Sequence, residues 1–138
     1  MRRLSFILRV IYAVAFIYAS VENITALVKD FPTQGWKIEG LSPPSTIYFH
    51  SLLVINPTIA LLVLARAHVG LIAAGVVVAT NIAHNTWLFC HLGAPFDLLY
   101  WFSVVFFMFY LSTVIFAWRG AAGFSAPTSA VTPAPRMR

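Results

Sequence analysis

Residues 46–65 read TIYFHSLLVINPTIALLVLA, twenty residues without Asp, Glu, Lys or Arg. An α-helix rises about 1.5 Å per residue, so ~20 apolar residues cross the ~30 Å hydrocarbon layer of a bilayer. Only Arg66, Ala67 and His68 separate this run from a second one at 69–89, VGLIAAGVVVATNIAHNTWLF. Further out lie LLYWFSVVFFMFYLSTVIFAW at 98–118, bracketed by Asp97 and Arg119, and an N-terminal run at 4–28 interrupted only by Arg9 and Glu22. None alternates polar and apolar residues with period two, as barrel strands do, so each reads as a membrane helix. The fold class expected is all-α: an integral membrane antiparallel four-helix bundle over residues 1–119. The short 66–68 connection makes its two helices neighbours. Residues 120–138, rich in Ala, Pro, Ser and Thr, read as a disordered cytoplasmic tail.

Composition excludes the alternatives. Of the 138 residues, 60% are apolar and 9% are charged, where an average soluble protein carries about 25% charged residues. A small soluble domain has too much surface to cover with so few polar groups. The single cysteine, Cys90, rules out a disulfide scaffold within the chain. The net charge of +5 comes from scattered residues rather than a stripe, which argues against nucleic acid as a partner.

Lys and Arg set the orientation. Arg2, Arg3, Arg9, Arg66, Arg119, Arg136 and Arg138 fall on one side of alternating spans, and only Lys29 and Lys37 on the other. Both termini are therefore expected in the cytoplasm of a bacterial cell, with the chain in the inner membrane. Trp36, Trp101 and Trp118 sit where interfacial anchors belong. The rival reading of the N-terminus as a cleaved signal peptide suffers from bulky residues before Ser20 and from Arg9 in its apolar region. The external loop, Asp30 to Ser45, contains three prolines and two glycines and is read as irregular.

Ionisable and amide groups inside membrane spans are costly, so their positions carry the functional signal. Glu22, His50 and His84 come from three spans and lie within roughly 12 Å of their outer ends. Asn81, His84, Asn85, Leu88 and His91 are spaced by three, four and seven, which assigns them to one helical face. Asn56 stands mid-span before Pro57, which removes a backbone donor and predicts a local kink. The candidate ligand site comprises Glu22, His50, Asn56, Asn81, His84 and Asn85, with Trp87, Trp101 and Phe102 as an apolar wall. Glu22, His50 and His84 are the ligand set for a divalent metal, although no helical metal motif links any pair. A Glu–His pair also suits proton exchange, and amide groups suit the polar head of a quinone or lipid. The same side chains serve equally well as interhelical hydrogen-bond glue. Gly70, Ala74 and Gly75 read as close-approach positions, while Phe102, Phe106, Phe107 and Phe109 go around the fourth helix and read as lipid-facing bulk.

Arg9 before an apolar run ending in Tyr18, Ala19 and Ser20, and the run from Leu61 that breaks at Ala65–Arg66 and resumes toward His84 and Asn85, resemble the DoxX-like superfamily of small four-helix bacterial membrane proteins. Ser20 and Asn23 stand where that family has Gly and Lys, and Asn56 where it has an acidic residue. The resemblance implies a four-helix bundle and, for some members, a subunit of a quinone-linked redox complex. Glu22, followed by Thr25 and Lys29, is also similar to the membrane-embedded Glu of small multidrug transporters. That comparison implies a proton-coupled transporter. A structural subunit of a larger membrane complex, or a homo-oligomer, completes the set of expectations.

Overall fold

The computed structural model describes residues 1–35, 41–92 and 98–121. Four helices make up these residues: α1 (Arg2–Gln34), α2 (Pro43–Ala65), α3 (Ala67–Leu92) and α4 (Leu98–Ala121). Each is long and apolar enough to cross a membrane. They pack in sequence, α1 on α2, α2 on α3 and α3 on α4, and α4 closes the ring against α1. The chain is an antiparallel four-helix membrane bundle. One end, here the terminal end, carries the start of α1, the α2–α3 turn and the end of α4. The other, the distal end, carries the α1–α2 and α3–α4 connections.

Two boundaries differ most from the sequence expectation, and α4 also runs to Ala121, two residues into the stretch read as a disordered tail. The helix α1 continues five residues past Lys29 and through Pro32, into the stretch read as irregular. A proline so close to the C-terminus removes only one hydrogen bond, and the Gly35 N–H donates to the Phe31 carbonyl at 2.9 Å to end the helix. Gly35 has φ 62°, a conformation that favours glycine. The helix α2 starts at Pro43–Pro44, inside that same stretch, because proline's fixed φ and missing N–H suit a first helical turn. Trp36, Lys37, Asp97 and the tail beyond Ala121 lie outside the described residues.

The turn between α2 and α3 is one residue, Arg66, whose N–H reaches the Leu62 carbonyl at 2.7 Å. Such a tight reversal forces the two backbones together at Gly70, where an added Cβ would run into the backbone of Leu62 and Val63. Gly70→Ala is accordingly expected to destabilise the bundle by about 1–3 kcal/mol through overpacking. Unfolding in mixed micelles at increasing SDS fraction measures this. Wild-type stability would show that the turn opens freely.

The terminal half is densely packed. Tyr12, Val63, Ala74 and Ala117 are fully buried among Leu8, Phe16, Ile59, Leu71 and Tyr110. In lipid the gain comes from close van der Waals packing and satisfied polar groups rather than from water exclusion. Small residues make that approach possible: Ser5 Oγ donates to the Ala117 carbonyl at 2.6 Å, with Gly120 pressed against Ser5. The Tyr12 and Thr113 hydroxyls pair at 2.7 Å, and the Tyr110 hydroxyl donates to the Leu71 carbonyl across α3 and α4. Gly75 accommodates the Tyr110 ring. Two of the four phenylalanines assigned to lipid behave otherwise, while Phe102 and Phe109 are exposed. Phe106 and Phe107 pack on the core, and Phe109 meets the Tyr12 ring edge-on at 6.1 Å.

Arg9 is 8% exposed, and its Nη1 makes a long 3.4 Å contact with the Leu64 carbonyl. That carbonyl belongs to the last turn of α2, where the negative end of the helix dipole favours a cation. Arg9 thus serves the α1–α2 contact as well as the charge asymmetry of the sequence.

Candidate functional site

Packing loosens toward the distal end, and a cavity of about 560 Å³ opens among all four helices. Its floor is Phe16, Val78 and Phe106, which also cap the packed core. The walls are mostly apolar, with the small side chains Ala15, Ala19 and Ala26 on α1 leaving the space. Four asparagines supply most of the polarity: Asn23 on α1, Asn56 on α2, and Asn81 and Asn85 on α3, with Ser103 on α4. Asn85 Nδ2 donates to Asn81 Oδ1 at 3.3 Å, which ties the α3 pair into one amide patch. Asn56 is buried. Among the described residues no Asp, Glu, Lys, Arg or His lines the cavity.

Of the eight residues singled out as a ligand site, Asn56, Asn81 and Asn85 line this cavity. Glu22, His50, His84, Trp87 and Trp101 do not. Glu22 lies near the Tyr18 hydroxyl, one turn back on its own helix. His84 stacks on α2, 4.5 Å from the Tyr48 ring and 5.5 Å from the Phe49 ring, and His50 is half-buried. Among the described residues no three His, Cys, Asp or Glu side chains group to hold a metal, so Glu22, His50 and His84 do not form the metal set proposed for them. The reason is helix rotation: His84 is turned onto the Tyr48 and Phe49 rings of α2 rather than into the space that α1 and α3 share.

The supposed single face of α3 is also divided. At about 100° per residue, His84 and His91 trail Asn81 while Asn85 leads it, an arc of roughly 120° in all. An arc that wide spans two interfaces. Asn81, Asn85 and Leu88 turn into the cavity. His84 turns to the α2 flank, and His91 Nδ1 meets the Trp87 carbonyl at 2.8 Å. Trp87 and Trp101 are 49% and 54% exposed, which suits membrane-facing aromatics rather than a cavity wall. Phe102, read as part of that wall, does line the cavity.

Sequence reasoning passed over Asn23 and Tyr100 as lining residues. Asn23 could have been found from its spacing, because Ala19, Asn23 and Ala26 recur at four and three along α1. Tyr100 carried no such signal. Its hydroxyl pairs with the Thr86 hydroxyl at 3.1 Å, a contact between residues fourteen apart.

An uncharged, amide-studded apolar cavity suits a neutral guest. Each Asn both donates and accepts, so carbonyl and hydroxyl heads are equally served. Amides alone are a poor set for a transition metal, which prefers imidazole or thiolate. The fold and the cavity define a small four-span membrane protein with an internal space between its helices. Comparison with protein-family models, curated proteins and solved structures finds no match to this chain.

Proposed function

We propose that the chain binds a neutral, lipid-soluble small molecule with a carbonyl or hydroxyl head, of the quinone or lipid class, in the distal cavity. The observation that carries this reading is the convergence of asparagines from three helices on one apolar space without a charged side chain. The volume lies within the usual range for ligand pockets, about 300–1,000 Å³. Asn56, Asn81 and Asn85 hold the head, while Phe16, Val78 and Phe102 enclose its apolar body. The excess of Lys and Arg at the terminal end supports a reading in which that end faces the cytoplasm and the cavity lies in the outer leaflet of a bacterial inner membrane.

A redox assembly, with this chain as its quinone-holding subunit, agrees with the DoxX-like resemblance of the first helix and of the stretch from Leu61 to Asn85. A proton-coupled transporter would need Glu22 where substrate passes, whereas Glu22 lies outside the cavity lining.

Decyl-benzoquinone titrated into the protein in lipid nanodiscs provides the test, with empty discs as reference. Saturable one-site binding is expected, and none for a permanently charged amphiphile of the same length. Ala19→Trp fills the cavity and is expected to reduce quinone binding at least tenfold while leaving the helical content of the bundle unchanged by circular dichroism. Binding that survives this substitution would move the site elsewhere.

A further inference from the structure

We infer that the cavity is entered sideways from the bilayer, through a portal between α1 and α4 closed by Tyr18 and Phe102. The inference rests on the ligand reading above and concerns its route. A rounded cavity of 560 Å³ is roughly 10 Å across, shorter than a tail that spans half of the ~30 Å hydrocarbon layer. A molecule with such a tail must leave part of it outside the wall.

The seams between helices differ in how they are closed. Between α2 and α3 the rings of Tyr48 and Phe49 stack on His84. Between α3 and α4 the Phe89 and Tyr100 rings meet at 5.2 Å, reinforced by the Thr86–Tyr100 hydroxyl pair. The terminal half of the α1–α4 seam is sealed by Ser5 on Ala117 and Tyr12 on Thr113. Its distal half has the Tyr18–Phe102 ring contact, with centroids 5.8 Å apart. Both rings line the cavity, yet they are 47% and 46% exposed on the outer surface. The remaining exposed lining residue, Ala26, also lies on α1. The space inside and the lipid outside are therefore separated here by one pair of side chains.

A rotamer change at either aromatic side chain opens the seam without moving a helix, and exposed side chains make such changes on the ps–ns timescale.

The test locks the portal. Tyr18→Cys with Phe102→Cys, in a Cys90→Ala background, is reconstituted in nanodiscs and oxidised, with cross-linking verified by mass. Association of tritiated decyl-benzoquinone is then followed by rapid filtration before and after reduction. The oxidised form is expected to associate at least tenfold more slowly, and reduction to restore the rate. In a separate arm, Phe102→Ala widens the portal and is expected to speed association threefold or more. An unchanged rate in the verified cross-linked protein overturns the portal and leaves the binding reading standing. An unchanged rate in Phe102→Ala counts against the portal in the same way. Absence of saturable binding in the reduced protein overturns both.

Discussion

Replacing Asn56 and Asn81 together by leucine is expected to weaken decyl-benzoquinone binding about 100-fold. Each amide hydrogen bond to a ligand head in a low-dielectric site contributes about 1–1.5 kcal/mol, and 1.4 kcal/mol is tenfold in affinity. The two residues lie on different helices and line the same cavity, so each single substitution should account for roughly tenfold of the loss by the same hydrogen-bond scale. The fold should tolerate the change. Leucine shares asparagine's branching at Cγ and the cavity beside both residues has room for its extra volume, and apolar replacements of buried polar groups are often neutral when no partner is orphaned. For Asn81 the Asn85 amide does lose its partner, so Asn81→Leu should be the less stable single variant. Titration in nanodiscs, with SDS unfolding alongside, separates the effects. Lost binding in a protein that also unfolds early would assign the asparagines to interhelical glue instead.

The largest stability effect is expected at Tyr12. This side chain is fully buried, and its ring meets Phe106, Phe109 and Tyr110 while its hydroxyl pairs with Thr113. Tyr12→Ala removes an aromatic ring from the centre of the packed half and should cost about 3–5 kcal/mol, as for other large-to-small aromatic core changes. In a bilayer the loss is of dispersion contacts that lipid chains cannot restore inside the bundle. Tyr12→Phe keeps the ring and removes only the hydroxyl, so a cost of about 0.5–1 kcal/mol is expected for one intramembrane hydrogen bond. Unfolding in mixed micelles monitored by circular dichroism gives both values. Equal losses in the two variants would mean that the Thr113 bond, not ring packing, holds α1 to α4.

The two halves of the bundle have different work to do. The terminal half is stabilised by rings and by small residues that admit close neighbours: the α2 backbone at Gly70, the Tyr110 ring at Gly75, and Ser5 at Gly120. Its rigidity lets the distal half remain loosely packed. A cavity of 560 Å³ in the middle of a small bundle forfeits contacts that the surrounding helices would otherwise make. The cost is borne because α1 is anchored below it by Tyr12 and Phe16, and because Arg9 fixes the same helix to the end of α2.

The amino-acid sequence alone determined the four spans, their antiparallel order and the adjacency of α2 and α3. Those follow from apolar length and from a connection at Arg66 too short for any other path, which are local properties of the chain. It also marked Asn56, Asn81 and Asn85 as costly polar groups that must avoid lipid. Which polar groups would meet was beyond it. Glu22, His50 and His84 have similar depth, but depth says nothing about rotation of a helix about its axis. Overall apolarity leaves each helix with little amphipathic signal to set that rotation. Only packing decided that α1 lies diagonal to α3, that the α3 polar arc splits between cavity and flank, and that Tyr18 and Phe102 stand together at the α1–α4 seam. Side-chain volumes fitted across helix interfaces determine these rotations, and such fits join residues as far apart in the chain as Ser5 and Ala117.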